Sequence, residues 1–292
     1  MLRSMDSAVA GLRAHQNKMD VIGHNLANVN TFGFKAQTYT FKEAMYQTSS
    51  ASTGGTNDAG GSNAAQYGYG TLMGTIGVDM TASTPSYVGG MNATINGEGF
   101  FMTSTKKEST GVAINTDVKT SKVDWDYTRV GQFSIDSKGY VVDGNGNFVY
   151  GFYPGTTNFD ATTGKLLADA KLQPLRIPTA VEENGGKYTC TFGTGDTDKA
   201  LKATSVSINK LGEITATLTT DDDPPKTYAG VHVGTLALVT FQNPEGLTKS
   251  GQTYYKANEK DNTGRADATV PGGDGVASLM SGYIEASNVD LA

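Results

Sequence analysis

Apolar side chains recur along the first 35 residues with helical spacing. Met5, Leu12, Met19 and Leu26 repeat every seven positions, Leu2 and Val9 begin a second line three residues out of phase, and Ile22 returns to the same side. Arg3, Asp6, Arg13, Gln16, Asn17, Lys18 and Asp20 take the opposite face. This pattern predicts an amphipathic helix with an apolar seam made to pack against another helix, imperfect where Gln16 and Gly23 interrupt the second line. By pattern alone such a seam usually faces the core of its own domain. The helix should end between Asn25 and Asn28, where Asn-rich and Gly-containing sequence begins.

Beyond Lys35 the period changes. Residues 36–48 carry scattered apolar groups, with a short strand or helical turn around 41–46. Residues 49–65 are Gly/Ser/Asn/Ala-rich, which predicts a flexible loop or an arm that orders on contact, because so little apolar surface cannot offset ordering entropy. Gly68, Gly70 and Gly74 do not make a phosphate loop, since no Gly-Lys-Ser/Thr follows. From residue 79 onward short strands are expected at 92–95 and 99–104, joined by an Asn96-Gly97 turn, and then at 123–127, 132–135, 140–142 and 148–152. Further strands are expected at 172–177, 187–192, 203–208, 213–218 and 253–256. Val231 to Phe241 is the most continuous apolar run and suits a core strand. Asp221-Asp222-Asp223-Pro224-Pro225 reads as a solvated turn.

Four blocks give this pattern a family likeness. Asn25-Leu26-Ala27-Asn28-Val29-Asn30-Thr31-Phe32-Gly33-Phe34-Lys35 comes directly after the N-terminal helix. Ile95-Asn96-Gly97-Glu98-Gly99-Phe100-Phe101 and Tyr127-Thr128-Arg129-Val130-Gly131-Gln132-Phe133 lie in the middle. Ser278 to Leu291 closes the chain with a glycine turn and Ala-Ser-Asn-Val-Asp-Leu. Together they resemble the bacterial flagellar hook and rod protein family, most of all the hook protein, with Asn25, Asn28, Asn30, Thr31, Gly33, Phe34 and Lys35 as motif positions. The likeness is absent from about residues 155 to 230.

The resemblance implies a mainly β, elongated multidomain chain with an N-terminal amphipathic helix. Its expected parts are a helical terminal domain at 1–30, an extended linker arm at 31–80, a discontinuous first β domain at 81–152 and 230–284, and a second β domain inserted at 153–229. Its expected function is that of a hook subunit, self-assembling into a tubular helical polymer that serves as a flexible joint between rod and filament. The assembly seam would be Leu2, Met5, Val9, Leu12, Met19, Ile22 and Leu26. A distal rod protein is the alternative within the family. A secreted β-rich adhesin or glycan-binding module is the alternative of another class. Expected partners are copies of the chain and other axial proteins, namely rod, hook cap and hook–filament junction proteins. Export through the flagellar type III channel without a cleaved signal peptide is implied as well. The family pattern continues past Asn288-Val289-Asp290-Leu291 into a helix that pairs with the N-terminal one. The sequence stops at Ala292, so that helix is expected to be truncated after about 285, and the seam to fray or to pack on a neighbouring chain.

Composition sharpens this picture. Hydrophobic residues make up 37% and charged residues 18% of the 292, with 37 glycines, which suits many short strands joined by turns rather than a helical enzyme core. A net charge of −6 without a dense basic run argues against nucleic acid as a partner. No apolar run approaches the roughly 18 residues of a membrane span, and the N-terminus has no signal-peptide core. Cys190 is the one cysteine, so no internal disulfide exists. His15, His24 and His232 lack metal spacing, and His232 reads as a structural histidine in a strand. Asp143, Asn145 and Asn147 alternate as calcium ligands do, but no distant bidentate Glu is present, so a hairpin turn is expected. No nucleophile elbow is present. The chain is therefore read as a non-enzyme with no cofactor and no metal.

Overall fold

The helical pattern forms a single helix, Leu2–Ala27, and almost everything after it is short strand and turn, as the computed structural model shows. The structure describes residues 2–56, 60–108, 111–114, 117–121, 123–155, 158–160, 165–184, 187–193, 199–220, 224–272 and 277–290. Asp221 to Asp223 of the expected 221–225 turn and Leu291 lie outside the described residues, as does the side chain of Leu2. The chain divides into two compact units. One comprises the stretch up to Asn30, Lys35–Met80 and the residues after Asn288, and the other comprises Thr31–Phe34 and Thr81–Asn288.

In the first unit the helix packs on an antiparallel ladder of Gln37–Glu43 with Thr71–Val78, bulged between Tyr39 and Phe41. A second ladder, Tyr46–Ser50 with Ala65–Gly68, continues into a Thr53–Ser62 bridge. This corrects the expected flexible loop at both of its ends. Backbone pairing needs no apolar side chain, and cross-strand hydroxyl contacts such as Thr53 Oγ1 to Ser62 Oγ (2.8 Å) reinforce it. Every residue of both strands in this second ladder is exposed.

The second unit is built on an antiparallel sheet. Its main path runs Lys202–Ile208, Glu213–Thr219, Thr227–Leu236, Phe148–Phe152, Phe100–Ser104, Asp126–Thr128, Tyr254–Lys256 and Thr248–Gly251. The apolar run 231–241 is two strands rather than one. At Ala237 the backbone N–H turns to Tyr150 O (3.2 Å), and Leu238–Phe241 then pairs with Phe100–Ser104 and Ala266–Thr269. Alternate side chains of these strands, among them Phe101, Val149, Leu236 and Leu238, meet Phe133 and Leu175 in one continuous core. Phe101 and Phe133 meet edge to face at 5.1 Å.

The expected strands at 92–95 and 99–104 exist, as Ala93–Asn96 and Phe100–Ser104, but they do not pair with each other across Asn96-Gly97. Ala93–Asn96 pairs with Ser278–Ser281, and Phe100–Ser104 pairs with three other strands. The physical reason lies in the loop between them. Its carbonyls at Gly97 and Gly99 accept hydrogen bonds from the guanidinium of Arg129, both at 3.0 Å.

Candidate assembly surface

The helix has two unlike faces. Ser7, Ala10, Gly11, Ala14 and Val21 turn toward the ladder; Ala14 is 3% exposed, Val21 is buried and the other three are half-buried. The fit is close, since a Cβ added at Gly70 would lie 2.9 Å from Ser7 O. Small side chains let the backbones approach. At the edge of this contact Phe41 meets the His15 ring at 5.1 Å, with the Lys18 ammonium 5.5 Å from its centroid.

The larger apolar residues point away. Met5 is 63%, Leu12 71% and Met19 66% exposed, and Val9, Ile22 and Leu26 are exposed as well. The bland reading of the seam, as the side facing the core of its own unit, is thus not what the fold adopts. The core-facing role falls to small residues that carry little hydrophobic signal. The seam forms a stripe of large apolar groups in water, the kind of surface that marks an interaction site.

The Asn-rich exit is built by its side chains. Asn25 Nδ2 donates to Gln37 O (2.8 Å) and its Oδ1 accepts from Gln37 N (2.9 Å), so one amide mimics a strand pair and ties the last helical turn to the first strand. Asn28 Nδ2 donates to His24 O (2.9 Å) and satisfies a terminal helix carbonyl. Asn30 is exposed. Thr31 O accepts from Phe34 N (3.3 Å), making a turn with Gly33 in the left-handed region at φ +67°. Phe34 is buried, with the Lys249 ammonium 4.6 Å from its ring centre, and Lys35 is fully buried. Desolvation lowers the Lys249 pKa from the usual lysine value.

The remaining candidates for chemistry are structural. Asp143 Oδ1 accepts the backbone N–H groups of Asn145 and Asn147, each at 2.9 Å, and Oδ2 accepts the Tyr254 hydroxyl, which makes this run a hairpin turn. His232 Nε2 lies 3.3 Å from Thr235 Oγ1 within its strand. Among the described residues no group of three or more His, Cys, Asp or Glu is arranged to hold a metal ion. No described helix is long and apolar enough to cross a membrane.

A β body held by turns and core packing, together with an outward-facing apolar helix face, is the equipment of a structural subunit. Comparison with known proteins gives this class its family. The family model for the flagella basal body rod protein matches residues 5–35, and that for the flagellar hook protein FlgE/F/G D1 domain matches residues 116–216. Over 292 residues the chain is 32% identical to the flagellar basal-body rod protein FlgG of Bacillus subtilis, covering 100% of this chain and 86% of that protein. It is 30% identical to the flagellar hook protein FlgE of Treponema pallidum over 76% of this chain and 44% of that one. It is 36% identical to that of Borreliella burgdorferi over 85% of this chain and 52% of that one. The chain belongs to the flagellar rod and hook protein family. It is accordingly a structural component of the flagellar basal body or hook, and not an enzyme.

Proposed function

We propose that the chain is an axial subunit that polymerises through the outward seam of its N-terminal helix, and that the polymer is the distal rod. The observation that carries the assembly reading is the exposure of Met5, Val9, Leu12, Met19, Ile22 and Leu26 on the helix side opposite the ladder. Burying each such side chain is worth about 1.5–3 kcal/mol. Six together are of the size needed to offset the roughly 4–15 kcal/mol lost on association. Repetition of one heterologous contact then gives an open helix. Leu2 continues the seam by sequence, and the motif from Asn25 to Lys35 fixes how the helix joins the first strand. In this reading residues 1–30 line the inner layer, and the body at 81–152 and 230–284, with the inserted segment at 153–229, forms the outer layers. Export proceeds without a cleaved signal, and the partners at either end are other axial proteins.

Rod is preferred over hook on how much of this chain is matched. The size of the inserted segment alone favours hook, but the rod protein of Bacillus subtilis matches 100% of this chain, against 76% and 85% for the two hook proteins. The hook stays a second reading because the higher identity, 36%, is to a hook protein.

Electron microscopy and sedimentation of the purified protein, beside Leu12→Asp/Met19→Asp, test both levels. Straight rods from the wild type alone support the rod reading, and curved tubes replace it with the hook. Monodisperse wild-type particles, or polymers from the double variant, reject assembly through the seam, and glycan binding becomes the reading to screen.

A further inference from the structure

Three stretches carry the chain into or out of the second unit: Thr31–Phe34, residues 81–84 and residues 285–288. Within that unit they are bonded to one another. Gly33 N donates to Glu285 O (2.8 Å), Asn288 N to Phe34 O (3.4 Å) and Ala286 N to Thr84 O (3.3 Å). Ser83 Oγ donates to Ser287 O (2.8 Å), and Ser83 N donates to Glu285 Oε1 (3.0 Å). Glu285 touches both of the other stretches, one with its backbone carbonyl and one with its side chain.

The remaining carboxylate oxygen of Glu285 points inward. Oε2 accepts from Arg129 Nε at 2.7 Å, with side chains only 2% and 1% exposed. Two of the other Arg129 donors go to Gly99 O and Gly97 O, and its guanidinium carbon lies 5.8 Å from the Phe100 ring centre. A pair buried this deeply gains little net stability, because desolvation consumes most of the Coulomb attraction. What it imposes is geometry. The placement of Glu285 that satisfies the guanidinium also presents Oε1 to Ser83 and the carbonyl to Gly33.

We propose that the Arg129–Glu285 ion pair is the key that registers the three connecting stretches, so that they hold or loosen as one. The inference stands apart from the rod and hook question and from polymerisation.

Hydrogen exchange by mass spectrometry on the full chain tests it, with E285Q and the apolar replacement R129M/E285L. The second variant guards against misfolding, because removing both charges together leaves no unpaired charge in the buried site. In R129M/E285L, amides at 31–34, 81–84 and 286–288 should exchange at least about tenfold faster and by similar factors, while those of Phe100–Ser104 and Thr227–Leu236 keep wild-type rates. The same selective pattern is expected in E285Q wherever that variant folds. Three outcomes with R129M/E285L would overturn the proposal: unchanged protection in the three stretches, loosening of 286–288 alone, or an equal rise throughout the unit, which would make the pair a general stabiliser.

Discussion

Gly33 lies so close to Val130 that a Cβ on it would sit 2.5 Å from Val130 Cγ2. Its φ of +67° is also one that an alanine resists. Two separate costs therefore protect this glycine of the N-terminal motif. The backbone conformation costs a non-glycine residue about 1–2 kcal/mol, and the contact adds a steric share. G33A should lower stability by about 2–3 kcal/mol in urea unfolding. V130A relieves only the contact, so G33A/V130A should recover part of the loss, with a coupling of about 0.5–3 kcal/mol. Full additivity of the two single changes would mean that Val130 moves aside at no cost.

The two faces of the helix should respond oppositely to substitution. Leu12 is exposed, so L12S should change unfolding stability by no more than about 0.5 kcal/mol. Ala14 is buried against the ladder, and A14L should cost about 1–3 kcal/mol through overpacking. Thermal melts of the two variants at a concentration where the wild type is monomeric separate them. A large loss from L12S would show that the seam is covered within the chain.

This contrast shows what was legible in the sequence. The heptad of Met5, Leu12, Met19 and Leu26 announced the helix and its apolar stripe, because large apolar groups at period seven are a strong local signal. It hid which face the chain itself covers, since Ser7, Ala10, Gly11 and Ala14 pack closely without being strongly hydrophobic. Many strands were visible as short apolar or alternating runs, but others, among them Thr71–Val78, Ala180–Asn184, Ala266–Thr269 and Ser278–Ser281, were not. In Ala180–Asn184, Val181 is the one large apolar residue and two glutamates come after it. Pairing was the least legible level. Asn96-Gly97 has the composition of a hairpin turn, yet the Gly97 carbonyl belongs to Arg129, 32 positions away. Glu285 carried no local signal at all, and only its partners at Gly33, Ser83 and Arg129 identify its role.

Acid should weaken the loop around Asp261. Burial alone would raise the pKa of this carboxyl, but hydrogen bonds from Thr263 and the backbone N–H of Asn258, with the Lys119 ammonium at 3.6 Å, outweigh it and hold the pKa below the usual aspartate value. A carboxyl lowered in the folded state contributes stability above its unfolded pKa, and that contribution is lost as pH falls through the folded value. The wild-type urea midpoint should therefore drop below about pH 4, and D261N should flatten this acid limb while lowering the midpoint at pH 7. Parallel limbs for the two proteins would remove Asp261 from the account.

Alkali should reveal Cys190 in the opposite direction. Its thiol is half-buried on Lys187–Thr191 and lies 3.8 Å from His232 O, and burial pushes its pKa up to about 11. At pH 8 almost all of it is the unreactive thiol, so the native chain should react with a disulfide reagent more slowly than the urea-unfolded chain, by about tenfold or more. The same shift sets the sign for stability. A thiol raised in the folded state binds its proton more tightly there, so its contribution is complete below the unfolded value of about 8.5 and is lost as pH climbs toward 11. C190S should remove that alkaline slope in the unfolding midpoint, since serine does not titrate in the range. Rapid labelling of the native protein at pH 8 would instead place the sulfur in a more open setting than the fold gives it.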